Sequence, residues 1–197
     1  FHARRFFAPG AVAALRKDGR TDVVLVSDRT SALRGELRTR VLGFDGKLYR
    51  DERKGVTLAP LSATQMASYA DAQLLGKAKP EQTAAVFELS IDGQIVSRRI
   101  VYFAAAKDLA LPNPDLRAQI VADGDGYRLD LHADKLAREV WIDFGDLDAE
   151  LSDNALSLLP GETMRLTLRS KASLQELQRA LTLHSLADAT TRATPSH

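Results

Sequence analysis

Two Asp-Gly pairs, Asp45-Gly46 and Asp92-Gly93, each separate two segments in which apolar and polar residues alternate. Alternation with a period of two sends successive side chains to opposite faces of an extended strand, so one face can be buried and the other wetted. Asp-Gly between such segments favours a type I′ hairpin, because both central residues of that turn need φ > 0. Gly35 to Phe44 places Leu37, Thr39, Val41 and Gly43 on one side, and Leu48 and Tyr49 start the return strand. Val56, Leu58, Leu61, Met66 and Tyr69 mark a less regular continuation. Ala84 to Ile91 and Gln94 to Phe103 flank the second pair, and the β-branched run Thr21 to Ser27 supplies an earlier strand. Strands at such short intervals predict an all-β chain built as an antiparallel sandwich.

A break follows at Leu109-Ala110-Leu111-Pro112-Asn113-Pro114, where two prolines favour an extended connector that cannot join a central sheet. Beyond it, Leu116 to Val121 reads as a strand, Asp123-Gly124-Asp125-Gly126 as a turn, and Tyr127 to His132 as a strand with Tyr127, Leu129 and Leu131 inward. Val140 to Phe144 carries the only tryptophan, Trp141. A lone Trp in mid-strand is expected in the core, where its large apolar area is best used; a sugar-stacking platform is the alternative. Ser152-Asp153-Asn154 opens a turn, Leu156, Leu158 and Leu159 look inward, and Pro160-Gly161 suits the centre of a type II turn. Thr163 to Arg169 alternates again, with Met164, Leu166 and Leu168 on one side. Ser173 caps a short helix, Leu174 to Leu181, with Glu176 placed for a capping box, and Leu181 to Leu186 gives a final strand.

The chain has 197 residues, enough for one large domain or two small ones, and a formal net charge of +1. Near-neutrality gives no electrostatic reason to expect nucleic acid or an anionic membrane as partner. Arg4-Arg5-Phe6-Phe7 offers guanidinium and ring together, yet no basic stripe continues from it. No apolar run approaches the roughly 18–20 residues of a spanning helix. Cysteine is absent, which excludes disulfides and thiol chemistry and leaves the sandwiches to hold by packing.

Catalytic signatures are scarce. There is no G-x-S-x-G, no H-E-x-x-H and no phosphate-cradling or dinucleotide-binding glycine loop. His2, His132, His184 and His197 are scattered without metal-ligand spacing. Asp143, Asp146, Asp148, Glu150 and Asp153 form the one dense acidic stretch. It reads as a solvated edge, with a Ca²⁺ site as the alternative, although it lacks the order of an EF-hand loop. No residue is therefore assigned as catalytic, cofactor-binding or metal-ligating, and no cofactor is expected.

The ordered block Ser152-Asp153-Asn154-Ala155-Leu156-Ser157-Leu158-Leu159-Pro160-Gly161-Glu162 resembles the signature of the C-terminal immunoglobulin-like domain of β-mannosidases, in glycoside hydrolase family 2. Ala155 and Leu156 depart from it, since the family usually carries aromatics there. Ala3-Arg4-Arg5-Phe6-Phe7-Ala8-Pro9 resembles the stretch by which those enzymes leave their catalytic barrel, and Ser27-Asp28 stands where the penultimate immunoglobulin-like domain often shows Asn-Asp. The resemblance implies two consecutive immunoglobulin-like antiparallel β-sandwiches with one short helix near the C-terminus. Its expected divisions are an exit from the barrel over 1–10, a first sandwich over 11–108, a linker over 109–114, a second sandwich over 115–187 and a disordered tail over 188–197.

The resemblance also implies a non-catalytic accessory part of a retaining, exo-acting β-mannosidase that removes terminal non-reducing β-D-mannose. Glycoside hydrolysis needs two carboxyl groups flanking the scissile bond, and in the family both glutamates lie in the barrel, so none transfers to these positions. The implied partners are the barrel and N-terminal domains of the same parent chain, with the β-mannoside reached through the parent; family analogy favours a periplasmic or secreted setting. Two alternatives stand beside this: the same part of another family 2 glycosidase, such as an exo-glucosaminidase or β-galactosidase, or an independent carbohydrate-binding sandwich.

Overall fold

The computed structural model describes residues 9–188. The expected barrel-exit segment up to residue 8 and the tail from residue 189 lie outside the described residues. The described residues divide into two compact units: one comprises 9–43 and Lys47–Ala110, the other 111–188 together with Phe44–Gly46. Every strand pair among the described residues is antiparallel.

The N-terminal unit contains β1 (Ala11–Lys17), β2 (Arg20–Ser27), β3 (Leu33–Gly43), β4 (Leu48–Leu58), β5 (Ser62–Ala70), β6 (Thr83–Ile91) and β7 (Gln94–Tyr102). They form two sheets, in the orders β1-β2-β5 and β4-β3-β6-β7. Alternation decides which side chains meet between the sheets. Val23 and Leu25 of β2, Leu37 and Val41 of β3, and Phe87 and Leu89 of β6 are all in the core, with Tyr69 of β5 stacked 6.4 Å from the Phe87 ring. Each such side chain buried from water contributes about 1.5–3 kcal/mol.

Asp92-Gly93 forms the expected type I′ turn, with φ of 51° and 75° and Ile91 opposite Gln94. Asp18-Gly19 forms a second turn of this kind, at 50° and 74°. It was not anticipated, because β1 has only Val12 fully buried and its alternation is faint. Asp45-Gly46 corrects the expectation: only Gly46 has positive φ, at 93°. Gly43 N–H donates to the Lys47 carbonyl at 2.8 Å and the β3–β4 register shifts at Val41/Leu42, so the connection is a longer, bulged loop. A short helix, α1 (Asp71–Leu75), is an addition; Gln73 side-chain oxygen accepts from the Ala70 N–H at its start.

The outward face of the four-stranded sheet carries charge. Glu88 alternates with core Phe87 and Leu89 on β6, yet it is only 1% exposed. Arg40 of β3 and Arg98 of β7 hold its two oxygens at 2.9 and 2.8 Å. Arg38 pairs in bidentate fashion with Asp51 at 2.7 and 2.6 Å, and these hydrogen bonds hold the Asp51 carboxyl below its ordinary value.

The C-terminal unit contains β8 (Arg117–Asp123), β9 (Gly126–Ala133), β10 (Ala137–Asp143), β11 (Ala149–Leu151), β12 (Leu156–Leu158), β13 (Glu162–Ser170), α2 (Leu174–Ala180) and β14 (Thr182–His184). One sheet runs β11-β13-β9-β8 and the other β12-β10-β14. Leu129, Leu131, Leu166 and Leu168 from the first sheet meet Val140, Ile142, Leu156 and Leu158 from the second, with Leu177 of α2 closing the core. At the start of α2, Ser173 Oγ accepts from Glu176 N–H, and the Glu176 carboxylate accepts from Ser173 N–H at 2.8 Å: the expected capping box.

Candidate functional site: a sheet-to-sheet corner and its exposed tryptophan

The Ser152–Glu162 block is where the second sandwich changes sheets. β11 belongs to one sheet and β12 to the other, so residues 152–155 make the crossing. Ser152 stays tied to the sheet it leaves: its N–H donates to the Thr167 carbonyl at 2.9 Å, and its Oγ accepts from Thr167 N–H at 3.1 Å. Asn154 is tied to the sheet it enters. Its Oδ1 accepts from Ile142 N–H and its Nδ2 donates to the Ile142 carbonyl, both at 3.0 Å. The side-chain amide thus imitates a peptide group and satisfies both backbone groups of one β10 residue. Asp153, 5% exposed, accepts from Asn154 N–H at 2.9 Å, and Ala155 takes a left-handed φ of 55° before β12 begins.

The second half of the block returns the chain to the first sheet. Glu162 N–H donates to the Leu159 carbonyl at 3.0 Å across Pro160-Gly161, and Gly161 has φ of 73°, as a type II turn requires. Glu162 Oε2 accepts from Leu159 N–H at 2.8 Å, while Gly161 N–H donates to the Ala133 carbonyl at 2.8 Å. Leu156, Leu158 and Leu159 are buried, as their spacing predicted.

Trp141 requires a correction: it is 56% exposed rather than in the core. Parity explains this. Val140 and Ile142 are buried on β10, so the residue between them must face outward. The core needed only the branched neighbours, and Trp141 was assigned to it by residue type instead of by register.

The acidic stretch is dispersed. Asp143 lies on β10, where its Oδ1 accepts from Gly145 N–H at 3.1 Å, and Asp153 is buried at the corner. Asp148 and Glu150 instead line an open groove of about 490 Å³ that they share with Asp123, Asp125, Arg169 and Lys171. Among the described residues, no group of three His, Cys, Asp or Glu side chains is placed to hold a metal ion. His132 lies beside Thr163 Oγ1 at 2.8 Å and Asp134 Oδ1 at 3.0 Å, whereas His184 lies on β14 opposite Trp141. Arg117, and then His132, hold the Asp134 carboxyl below its ordinary range. His2 and His197 lie outside the described residues. The Asn154 clamp and the buried Glu88 were missed from sequence; a glutamate inside the apolar run Ala84–Ile91 is the signal that marks the latter.

Residues 19–108 match the Mannosidase_ig family, described as a Mannosidase Ig/CBM-like domain, and residues 111–189 match the Ig_mannosidase family, described as an Ig-fold domain. No curated protein matches the chain. Among solved structures, a β-D-mannosidase from Dictyoglomus thermophilum matches with a TM-score of 0.75 at 19% identity, over 92% of this chain and 22% of that one. The exo-chitosanase CsxA of Amycolatopsis orientalis matches with a TM-score of 0.56 at 18% identity, over 91% of this chain and 25% of that one. The chain therefore spans about a quarter or less of the length of these structures, and at such identities the likeness is one of fold. Fold and family matches agree on one assignment: the chain is an immunoglobulin-like region of the mannosidase type, a Mannosidase Ig/CBM-like domain followed by an Ig-fold domain.

Proposed function

We propose that this chain is the non-catalytic accessory part of a larger retaining, exo-acting β-mannosidase of glycoside hydrolase family 2. The observation that carries the reading is the presence, in succession, of two mannosidase-type domains over residues 19–108 and 111–189. Its partners are the catalytic barrel and N-terminal domains of the same parent chain, and its substrate contact is made through that parent. Its divisions are a barrel-exit segment over 1–10, a first sandwich over 11–108, a linker over 109–114 and a second sandwich over 115–187. The role is mechanical: the two sandwiches support a neighbouring domain and bring no acid/base pair of their own.

The test uses the longer protein that contains this chain, beside the 197-residue chain alone. The longer protein is expected to hydrolyse a chromogenic β-D-mannoside with retention of anomeric configuration, followed by proton NMR, while the chain alone is inactive. Hydrolysis by the isolated chain would overturn the accessory role. A parent that cleaves only β-galactosides or β-glucosaminides would replace the mannosidase reading with another family 2 activity.

A further inference from the structure

We propose that the outer face of the β12-β10-β14 sheet is a surface carbohydrate site, with the Trp141 indole stacking on the C–H face of a pyranose. Trp141 stands on the central strand of that sheet and is the one large apolar side chain notably exposed in the C-terminal unit among the described residues. Its backbone is fixed from both sides. Buried Val140 and Ile142 anchor the strand, the Asn154 amide clamps Ile142, and β14 pairs with Trp141 through His184.

The flanks leave the ring open. Leu156 is opposite Val140 and Asn154 is bonded to Ile142, so Ala155 falls opposite Trp141 on the β12 side. An alanine there cannot shield an indole. On the other side stands exposed His184, and one step along the same face lie exposed Asp143 and Thr182. An apolar ring with an imidazole opposite it, and a carboxylate and a hydroxyl further along the same face, is amphipathic in the way a sugar is, and it suits a ligand that is apolar on one face and hydroxylated at its edge.

The exposure of a single large apolar side chain on this face argues for a ring-sized occupant. One aromatic side chain offers about 150–250 Å², whereas a stable protein interface buries roughly 800 Å² on each partner. The inference stands apart from the parent's catalytic identity, since it concerns binding by this chain's own residues.

Because Trp141 is the only tryptophan in the chain, its emission reports on this face alone. Titration of the 197-residue chain with β-1,4-mannohexaose is expected to give a saturable change in Trp emission at millimolar sugar or below. Backbone amide NMR shifts should localise to β10, β12 and β14. Trp141→Ala should lower the affinity by about tenfold or more, read by calorimetry, with little change in Tm because the side chain is exposed; Trp141→Phe should retain part of it. No emission or NMR response to the sugar, or binding that Trp141→Ala leaves intact, would overturn the proposal. So would an emission shift with protein concentration alone, which would assign the face to contact between copies.

Discussion

The two units solve the same problem, closing an antiparallel sandwich without disulfides, by different means. The N-terminal unit uses long strands. β3 and β4 run for 11 residues each, and charge is arrayed across the outer face of their sheet. The C-terminal unit contains three-residue strands, β11, β12 and β14, too short to hold by ladder bonds alone. It compensates with side chains that stand in for backbone: Asn154 on Ile142, Ser152 on Thr167, and Glu162 on Leu159. The difference teaches that a sandwich can take its order from strand length or from a few amide and hydroxyl groups placed at corners.

The largest effect should come from the charged side of this comparison. Glu88→Gln removes the charge that two part-buried guanidiniums share, and is expected to destabilise the N-terminal unit by about 3 kcal/mol. The measurement is amide hydrogen exchange read separately for β6 and for β13. Equal loss of protection in both strands would break the division between the units.

The corner is the next target. Asn154→Ala strips the partner from both backbone groups of Ile142 and is expected to cost about 2 kcal/mol, concentrated in β10 and β12. Asn154→Asp keeps the acceptor for Ile142 N–H but loses the donor for its carbonyl, so it should weaken the unit as well. Urea unfolding of both variants checks this. Full stability in Asn154→Ala would show that the short strands hold without their surrogate.

Acid should separate β3 and β4 from β10 and β12 more gently; the depressed carboxyls of the C-terminal unit, Asp134 bonded by Arg117 and Glu176 bonded by Ser173, lie outside β10 and β12. Asp51 has a depressed carboxyl pKa, chiefly through its hydrogen bond from Arg38, so the pair contributes above the ordinary carboxylate range. That contribution is lost as pH falls through the depressed value, because the unfolded chain then binds the proton more readily. The Asn154 and Ser152 contacts have no titrating group. Hydrogen exchange near neutrality and at about pH 3 should therefore show β3 and β4 losing more protection than β10 and β12. The pair is partly exposed, so added salt should shrink the difference. A greater acid loss in β10 and β12 would reverse the assignment.

Much of this was legible beforehand, for reasons that particular residues make clear. Alternation through Leu37, Thr39 and Val41 and through Met164, Leu166 and Leu168 placed the strands, because a half-buried sheet imposes that pattern on its residues. Pro160-Gly161 announced its turn, since only a residue tolerant of positive φ fits the position. Trp141 was misplaced because residue type was weighed above the parity set by Val140 and Ile142. Asn154 was read as a turn former, and its bonds to Ile142, 12 residues upstream, are tertiary information that no local pattern carries. Asp45-Gly46 misled for a related reason: the β3–β4 register, not the dipeptide, set the loop.

The crossing at residues 152–155 also acts as a ruler. Side chains alternate along β12, so one residue added or removed between Leu151 and Leu156 would turn Leu156 and Leu158 out of the core and bring Ser157 in. Asn154 would lose its place opposite Ile142 in the same step. The hairpin at Asp92-Gly93 carries no such constraint, because extra residues there extend into solvent and leave both strands in register. Length variation among related chains is accordingly expected at hairpin tips and excluded from this corner. The corner's spacing is thus as much a part of its message as its residues.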